Sequence, residues 1–105
     1  MKEDIIDFEI NDEENTVSRE VIRVYLEDEF FNDLKKYLED EDYAMAKDAT
    51  KGLYLLAMEL KLYRLYETLL DIYEDLESEL YTDVLKHYED MYSEYCHLKE
   101  EYQNV

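Results

Sequence analysis

Proline is absent from this chain, tryptophan is absent, glycine occurs once, at Gly52, and cysteine once, at Cys96. Each scarcity excludes something. Without clustered glycines there is no loop of the kind that cradles a phosphate. With one cysteine an internal disulfide is impossible, and a cysteine-based zinc site has no support. Cys96 therefore reads as a small residue on a helix face. No stretch approaches the ~18 apolar residues of a membrane span. The N-terminal MKEDIIDFEI also lacks a basic region followed by a long apolar run. The expectation is a soluble, cytoplasmic protein.

Cations are scarce as well: 11 Lys and Arg face 30 Asp and Glu, a formal net charge of -19 in 105 residues. Such a field attracts basic surfaces and repels nucleic acid and anionic membranes, so neither is an expected direct partner. High charge with low hydrophobicity would predict disorder. That reading fails, because 47% of the residues are hydrophobic and 12 are Tyr. The chain suits one helix-rich domain with one modest core.

Residues 1–17 differ from the rest. Ile6, Phe8 and Ile10 alternate with Asp7 and Glu9, the period of a strand with one buried face. They form an acidic N-terminal arm, extended or a short strand. From Ser18, a candidate cap, the pattern turns helical. Ile22, Leu26, Phe30, Leu34 and Leu38, with Phe31 and Tyr37, mark the buried face of a first helix. The run Glu39-Asp40-Glu41-Asp42 should contain its end, because carboxylates oppose a helix C-terminus and favour the next N-terminus.

A second helix, from about Tyr43 to Leu60, places Met45, Ala49, Leu53, Leu56 and Leu60 on one face with Gly52, where a glycine implies close packing. A turn near Glu59 to Leu62 leads to a third helix that buries Leu62, Leu65, Leu69, Ile72 or Tyr73, Leu76 and Leu80. Thr82 or Ser78 caps a last helix, whose seam of Val84, Tyr88, Met91, Tyr95, Leu98 and Tyr102 suits a bundle or coiled coil. The seam Tyr hydroxyls need partners, which nearby carboxylates can supply. No internal repeat is evident. The expected fold is all-α: an up-and-down four-helix bundle over 18–105 behind the arm.

The chemistry-bearing residues do not assemble a catalyst. Asp7 to Asp12 starts like a calcium loop but has no Gly at the sixth position and has Ser18 at the twelfth. Glu94 and His97 have di-iron ligand spacing, yet His87, the other histidine, follows Val84 instead of a Glu. Cys96 and His97, adjacent in sequence, diverge around a helix. The expectation is no enzyme, no cofactor and no metal.

Lys51-Gly52, with Leu60 and Leu62 in an apolar setting after it, resembles the motif of histidine phosphotransfer domains, in which a phosphoacceptor His is followed by two residues and then Lys-Gly. The resemblance spans Tyr25 to about Leu76. It implies a four-helix bundle that docks on the receiver domain of a response regulator. Asp48 stands where the family has its His, so the resemblance implies an adaptor using Asp48, Lys51 and Gly52 that binds without transferring phosphate.

The remaining reading makes the surface carboxylates the functional groups. Residues three or four apart on a helix lie ~5–6 Å from each other, so Asp71, Asp75 and Glu79, or Glu20, Glu27 and Glu29, can form rows of charge. A rigid bundle bearing such rows imitates nucleic acid and occupies the channel of a basic nucleic-acid-binding protein, as do phage anti-restriction and anti-CRISPR inhibitors, the class that this charge and size resemble. The expected contact residues are Glu27, Asp28, Glu29, Glu39, Asp40, Glu41, Asp42, Asp71, Glu74, Asp75, Glu77 and Glu79. Exposed tyrosines, from Tyr25, Tyr43, Tyr54, Tyr63, Tyr66, Tyr81 and Tyr92, would pack on the partner's Arg and Lys. A homodimer through the Val84–Tyr102 seam is a further option.

Overall fold

The computed structural model describes residues 19–103, which fold into helices joined by short turns. A short helical segment, α1 (19–26), precedes α2 (Phe30–Glu39), α3 (Tyr43–Glu59), α4 (Tyr63–Glu77) and α5 (Tyr81–Gln103). Each helix from α2 onward packs on its neighbour in sequence, and three-residue connections make those neighbours antiparallel. The result is an all-α, up-and-down bundle of 53 × 28 × 18 Å. The described residues contain no strand. The arm with Ile6, Phe8 and Ile10, and the Ser18 cap, lie outside them.

The three connections share one geometry. Beyond α2 the Glu41 amide donates to the Leu38 carbonyl and Asp42 to Tyr37; beyond α3 Lys61 donates to Met58 and Leu62 to Ala57; beyond α4 Glu79 donates to Leu76 and Leu80 to Asp75. This is the Schellman arrangement, which satisfies the free carbonyls of a helix end and places its middle residue in the left-handed region. Glu41, Lys61 and Glu79 accordingly have φ of 59, 64 and 58°. The last residue of each turn precedes the next helix directly, and a Tyr follows it: Tyr43, Tyr63 and Tyr81. The three turns thus form a structural repeat: Tyr-Leu-Glu-Asp-Glu-Asp-Tyr, Ala-Met-Glu-Leu-Lys-Leu-Tyr and Asp-Leu-Glu-Ser-Glu-Leu-Tyr are aligned by their backbones. The α2–α3 boundary falls inside the acidic run, and the Asp42 carboxylate accepts from the Met45 amide at 3.4 Å.

The expected first helix is broken in two. Glu27, Asp28 and Glu29 put three carboxylates at a helix C-terminus, and the Asp28 side chain accepts the Phe30 amide at 2.9 Å, competing with the helical bond. That break shifts the helical phase. Phe31 becomes the buried aromatic, and Phe30, expected in the core with Leu26 and Leu34, is exposed. It also frees the Leu26 carbonyl from its helical partner, and the Tyr95 hydroxyl donates to it at 2.6 Å. The Tyr25 hydroxyl donates to the Leu53 carbonyl at 2.7 Å. Tyr25 and Tyr95 flank Phe31, with centroids 5.3 and 4.3 Å from its ring. This trio ties α1 to α3 and α5. The seam hydroxyl of Tyr95 is satisfied by a backbone carbonyl where a carboxylate was expected.

Small residues line the inner face of α3: Ala46, Ala49, Thr50 and Ala57 are buried around Leu53. Met45 and Leu56, expected inside, are exposed. Short side chains let α3 approach α2 and α4 on both flanks, which turns the bulkier residues outward. The close packing expected at Gly52 is absent: a Cβ added there meets nothing within 4 Å. In α4, Leu65, Leu69, Ile72 and Leu76 are buried after Leu62, whereas Leu80, in the turn, is half exposed. Thr82 lies within α5 and Ser78 ends α4, so neither caps the last helix; Leu80 precedes it and accepts the Val84 amide at 3.2 Å. Val84, Met91, Tyr95 and Leu98 are buried against the rest of the chain. The α5 seam is thus occupied within one molecule.

Candidate partner-binding surface

Charge is distributed unevenly among the helices. In α2, Asp33 and Glu39 are balanced by Lys35 and Lys36, and in α3, Asp48 and Glu59 are balanced by Lys47 and Lys51. Against these neutral helices stand α4, with Glu67, Asp71, Glu74, Asp75 and Glu77 against Arg64 alone, and α5, with Asp83, Glu89, Asp90, Glu94, Glu100 and Glu101 against Lys86 and Lys99. Within the helices the excess of carboxylates therefore lies in α4 and α5, while on the α1–α3 side it lies in the connections at 27–29 and 40–42.

The antiparallel topology gathers the turns as well. The α2–α3 turn and the α4–α5 turn lie at the same end of the bundle, so Glu39, Asp40, Glu41 and Asp42 converge with Glu77 and Glu79. All six are exposed. The Lys47 ammonium reaches the Glu77 carboxylate at 3.3 Å, across two exposed side chains, a pair that adds little stability. Glu27, Asp28 and Glu29 lie beyond the other end of α2, about 15 Å away along its axis. Asp71 and Glu74 are exposed on α4.

Asp75 departs from the expected set. It is only 8% exposed and bonds to Nδ1 of His87 on α5, which takes it out of the surface and interrupts the row from Asp71 to Glu79. The bond to Asp75 raises the His87 pKa; burial opposes this, and the charges of Asp75, Asp71 and Asp90 add to it. This pair links α4 to α5 through two residues that the sequence offered no reason to join.

A cleft of about 290 Å³ opens at the acidic end, lined by Leu38, Glu39, Glu41, Tyr43, Tyr81, Val84 and Leu85. Tyr43 and Tyr81 stack with centroids 3.9 Å apart and planes 7° from parallel. The Tyr81 hydroxyl donates to Glu79 Oε1 at 3.4 Å, and burial, then Glu79, raise its pKa. Tyr88 is pushed up to about 12, by burial first and then by Tyr92 and Glu39. Of the tyrosines expected at the surface, Tyr63 and Tyr92 are exposed, Tyr43, Tyr54, Tyr66 and Tyr81 are half-buried, and Tyr25 is buried, its hydroxyl already bonded. The cleft itself was not read from the sequence. Its signal was the Tyr after each Glu-containing turn.

The other candidates lie apart. Asp48 and Lys51 are exposed on the outer face of α3 with half-buried Gly52 and exposed Met45, Leu55 and Leu56. His97 is exposed, 3.8 Å from Glu101, and Cys96 is an exposed free thiol. Among the described residues no group of three or more His, Cys, Asp or Glu is placed to hold a metal ion, and no helix is long and apolar enough to cross a membrane.

The geometry defines an all-α bundle with two acidic helices and an acidic, aromatic end. Comparison with protein-family models, with curated proteins and with solved structures finds no match to this chain.

Proposed function

We propose that this bundle is a non-enzymatic inhibitor that binds a basic nucleic-acid-binding protein by imitating nucleic-acid charge, in the manner of anti-restriction and anti-CRISPR proteins. The observation that carries the reading is the placing of the charge: acidic α4 and α5, with two acidic turns that converge at one end of the bundle. Solubility alone requires no such convergence. A duplex as long as the bundle's 53 Å carries about 30 phosphate charges, and residues 19–103, with a formal net charge of -13, carry a little under half of that figure. Its carboxylates are carried on helices and on turns closed by backbone hydrogen bonds, so little backbone entropy is lost on docking. Association should be fast, electrostatically steered and sensitive to salt.

Affinity capture from the source cell's lysate at low and high salt, with bound proteins identified by mass spectrometry, tests this reading. Recovery of a nuclease, polymerase or similar basic protein, released by salt and competed by DNA, is expected. Neutralising Glu39 to Asp42 together with Glu77 and Glu79 should abolish that recovery. Capture that survives both high salt and this variant would refute charge imitation.

The open face of α3 favours a second reading, an adaptor that docks on a receiver domain. Asp48 and Lys51 are surrounded there by exposed apolar residues on a helix without net charge. Salt-resistant capture of a response regulator, lost on Lys51→Glu, is the outcome that distinguishes it.

A further inference from the structure

We propose that the cleft between the α2–α3 turn and the start of α5 is a receptor for a single arginine side chain of the basic partner, an inference that rests on the inhibitor reading for the source of that arginine. Its volume, about 290 Å³, lies at the lower limit for ligand pockets, which suits one side chain better than a nucleotide or a large organic ligand. Its lining combines three things a guanidinium needs together. The stacked Tyr43 and Tyr81 supply an aromatic wall, Leu38, Val84 and exposed Leu85 supply apolar surface for the methylene stem, and Glu39 and Glu41 supply acceptors. The carboxylates exclude an anion and disfavour a purely apolar guest. Lys47 pairs with Glu77 at 3.3 Å and is not among the residues that line the cleft.

The chain already uses this chemistry on itself. The Arg19 guanidinium lies 4.9 Å from the Tyr102 ring centroid, and the Lys99 ammonium 5.5 Å from that of Tyr95. Arginine is favoured over lysine in the cleft because its planar, weakly hydrated group both stacks on a ring and forks to a carboxylate. The cleft also lies where six exposed carboxylates converge, so the steering field leads a cationic side chain toward it.

The test uses the full chain and a blocked tripeptide, acetyl-Gly-Arg-Gly-amide, titrated at low salt while tyrosine ring and backbone resonances are followed by NMR. Saturable shifts at Tyr43, Tyr81 and Leu85 are expected. The citrulline and lysine tripeptides should bind several-fold more weakly. Glu39→Gln with Glu41→Gln should weaken binding about fivefold, the upper range for partly exposed ion pairs. Glu100→Gln with Glu101→Gln, which removes the same charge more than 20 Å away along α5, should leave it unchanged. Equal weakening by the two double variants, equal binding of citrulline, or shifts spread over α4 and α5 without saturation would overturn the proposal. The experiment contains no partner protein, so its failure leaves the inhibitor reading standing. A failure of salt-sensitive capture would in turn leave the measured arginine binding intact.

Discussion

Replacing the left-handed residues of the turns by glycine should stabilise the bundle, in an order set by charge. Glu41, Lys61 and Glu79 hold φ near 60°, a conformation that costs a residue with a Cβ about 1–2 kcal/mol. Glycine removes that cost but adds about 0.5–1 kcal/mol of chain entropy to the unfolded state, leaving a net gain of about 0.5–1 kcal/mol per turn. Each position also follows a helix C-terminus, the negative end of its dipole. Removing Glu41 or Glu79 should add about 0.3 kcal/mol, and removing Lys61 should forfeit a similar amount. Glu41→Gly and Glu79→Gly should therefore each gain about 1 kcal/mol and Lys61→Gly about half that or less. The Glu41→Gly, Glu79→Gly double variant should gain about 2 kcal/mol, which raises the Tm of a domain this size by about 10 °C. Urea unfolding followed by circular dichroism at 222 nm measures this as a higher midpoint with an unchanged slope. Destabilisation by all three single substitutions would refute the turn geometry. A gain from Lys61→Gly equal to that from Glu41→Gly would refute the electrostatic part.

Tyr95→Phe should cost about 1–3 kcal/mol, because the Leu26 carbonyl freed by the α1–α2 break would lose its hydroxyl partner in a buried site; a urea midpoint equal to wild type would count against that bond. Gly52→Ala should gain about 0.5–1 kcal/mol, since the added methyl meets no atom and the residue lies within α3, whereas a loss would mean a neighbour occupies that space. The Asp75 bond raises the folded pKa of His87, so its contribution to stability is full below the unfolded value of about 6.5 and is lost as pH rises through the higher folded value. The stability difference between wild type and His87→Gln should accordingly shrink as pH rises above about 6.5, and a difference that grows would reverse the assignment.

The sequence carried the helices well because their signals are local. Periodicity from Leu62 to Leu76 and from Val84 to Tyr102 marks buried faces that any packing partner would require. The run Glu39–Asp42 located a boundary through helix-end electrostatics alone. Two kinds of information were not legible. Phase after the break at Glu27–Glu29 depended on Asp28 capturing one amide, and this moved Phe30 out and Phe31 in. The faces of α3 depended on having neighbours on both flanks, so the rule that large apolar residues lie inside selected Met45 and Leu56 where Ala46 and Ala57 are buried. For the candidate surface, composition gave the sign of the field but not its placing. Asp75 looked like any other carboxylate until His87 was found beside it, 12 residues along the chain. The cleft needed the up-and-down topology, which brings Glu39 and Tyr81 together.

The pentapeptide Tyr-Leu-Glu-Asp-Glu occurs twice, at 25–29 and at 37–41, and takes two different shapes. At the second site it closes a helix with Glu41 left-handed; at the first it breaks the helix through Asp28, with no left-handed residue. The amide of the residue that follows goes to different acceptors: that of Phe30 to the Asp28 side chain, that of Asp42 back to the Tyr37 carbonyl, while the Asp42 side chain caps α3. Folding can therefore proceed hairpin by hairpin through rapid local steps. The first copy is also held from a distance, by Tyr95, 69 residues along the chain, at the Leu26 carbonyl, so one pentapeptide serves once as a local turn and once as an anchor point for the far end of the chain.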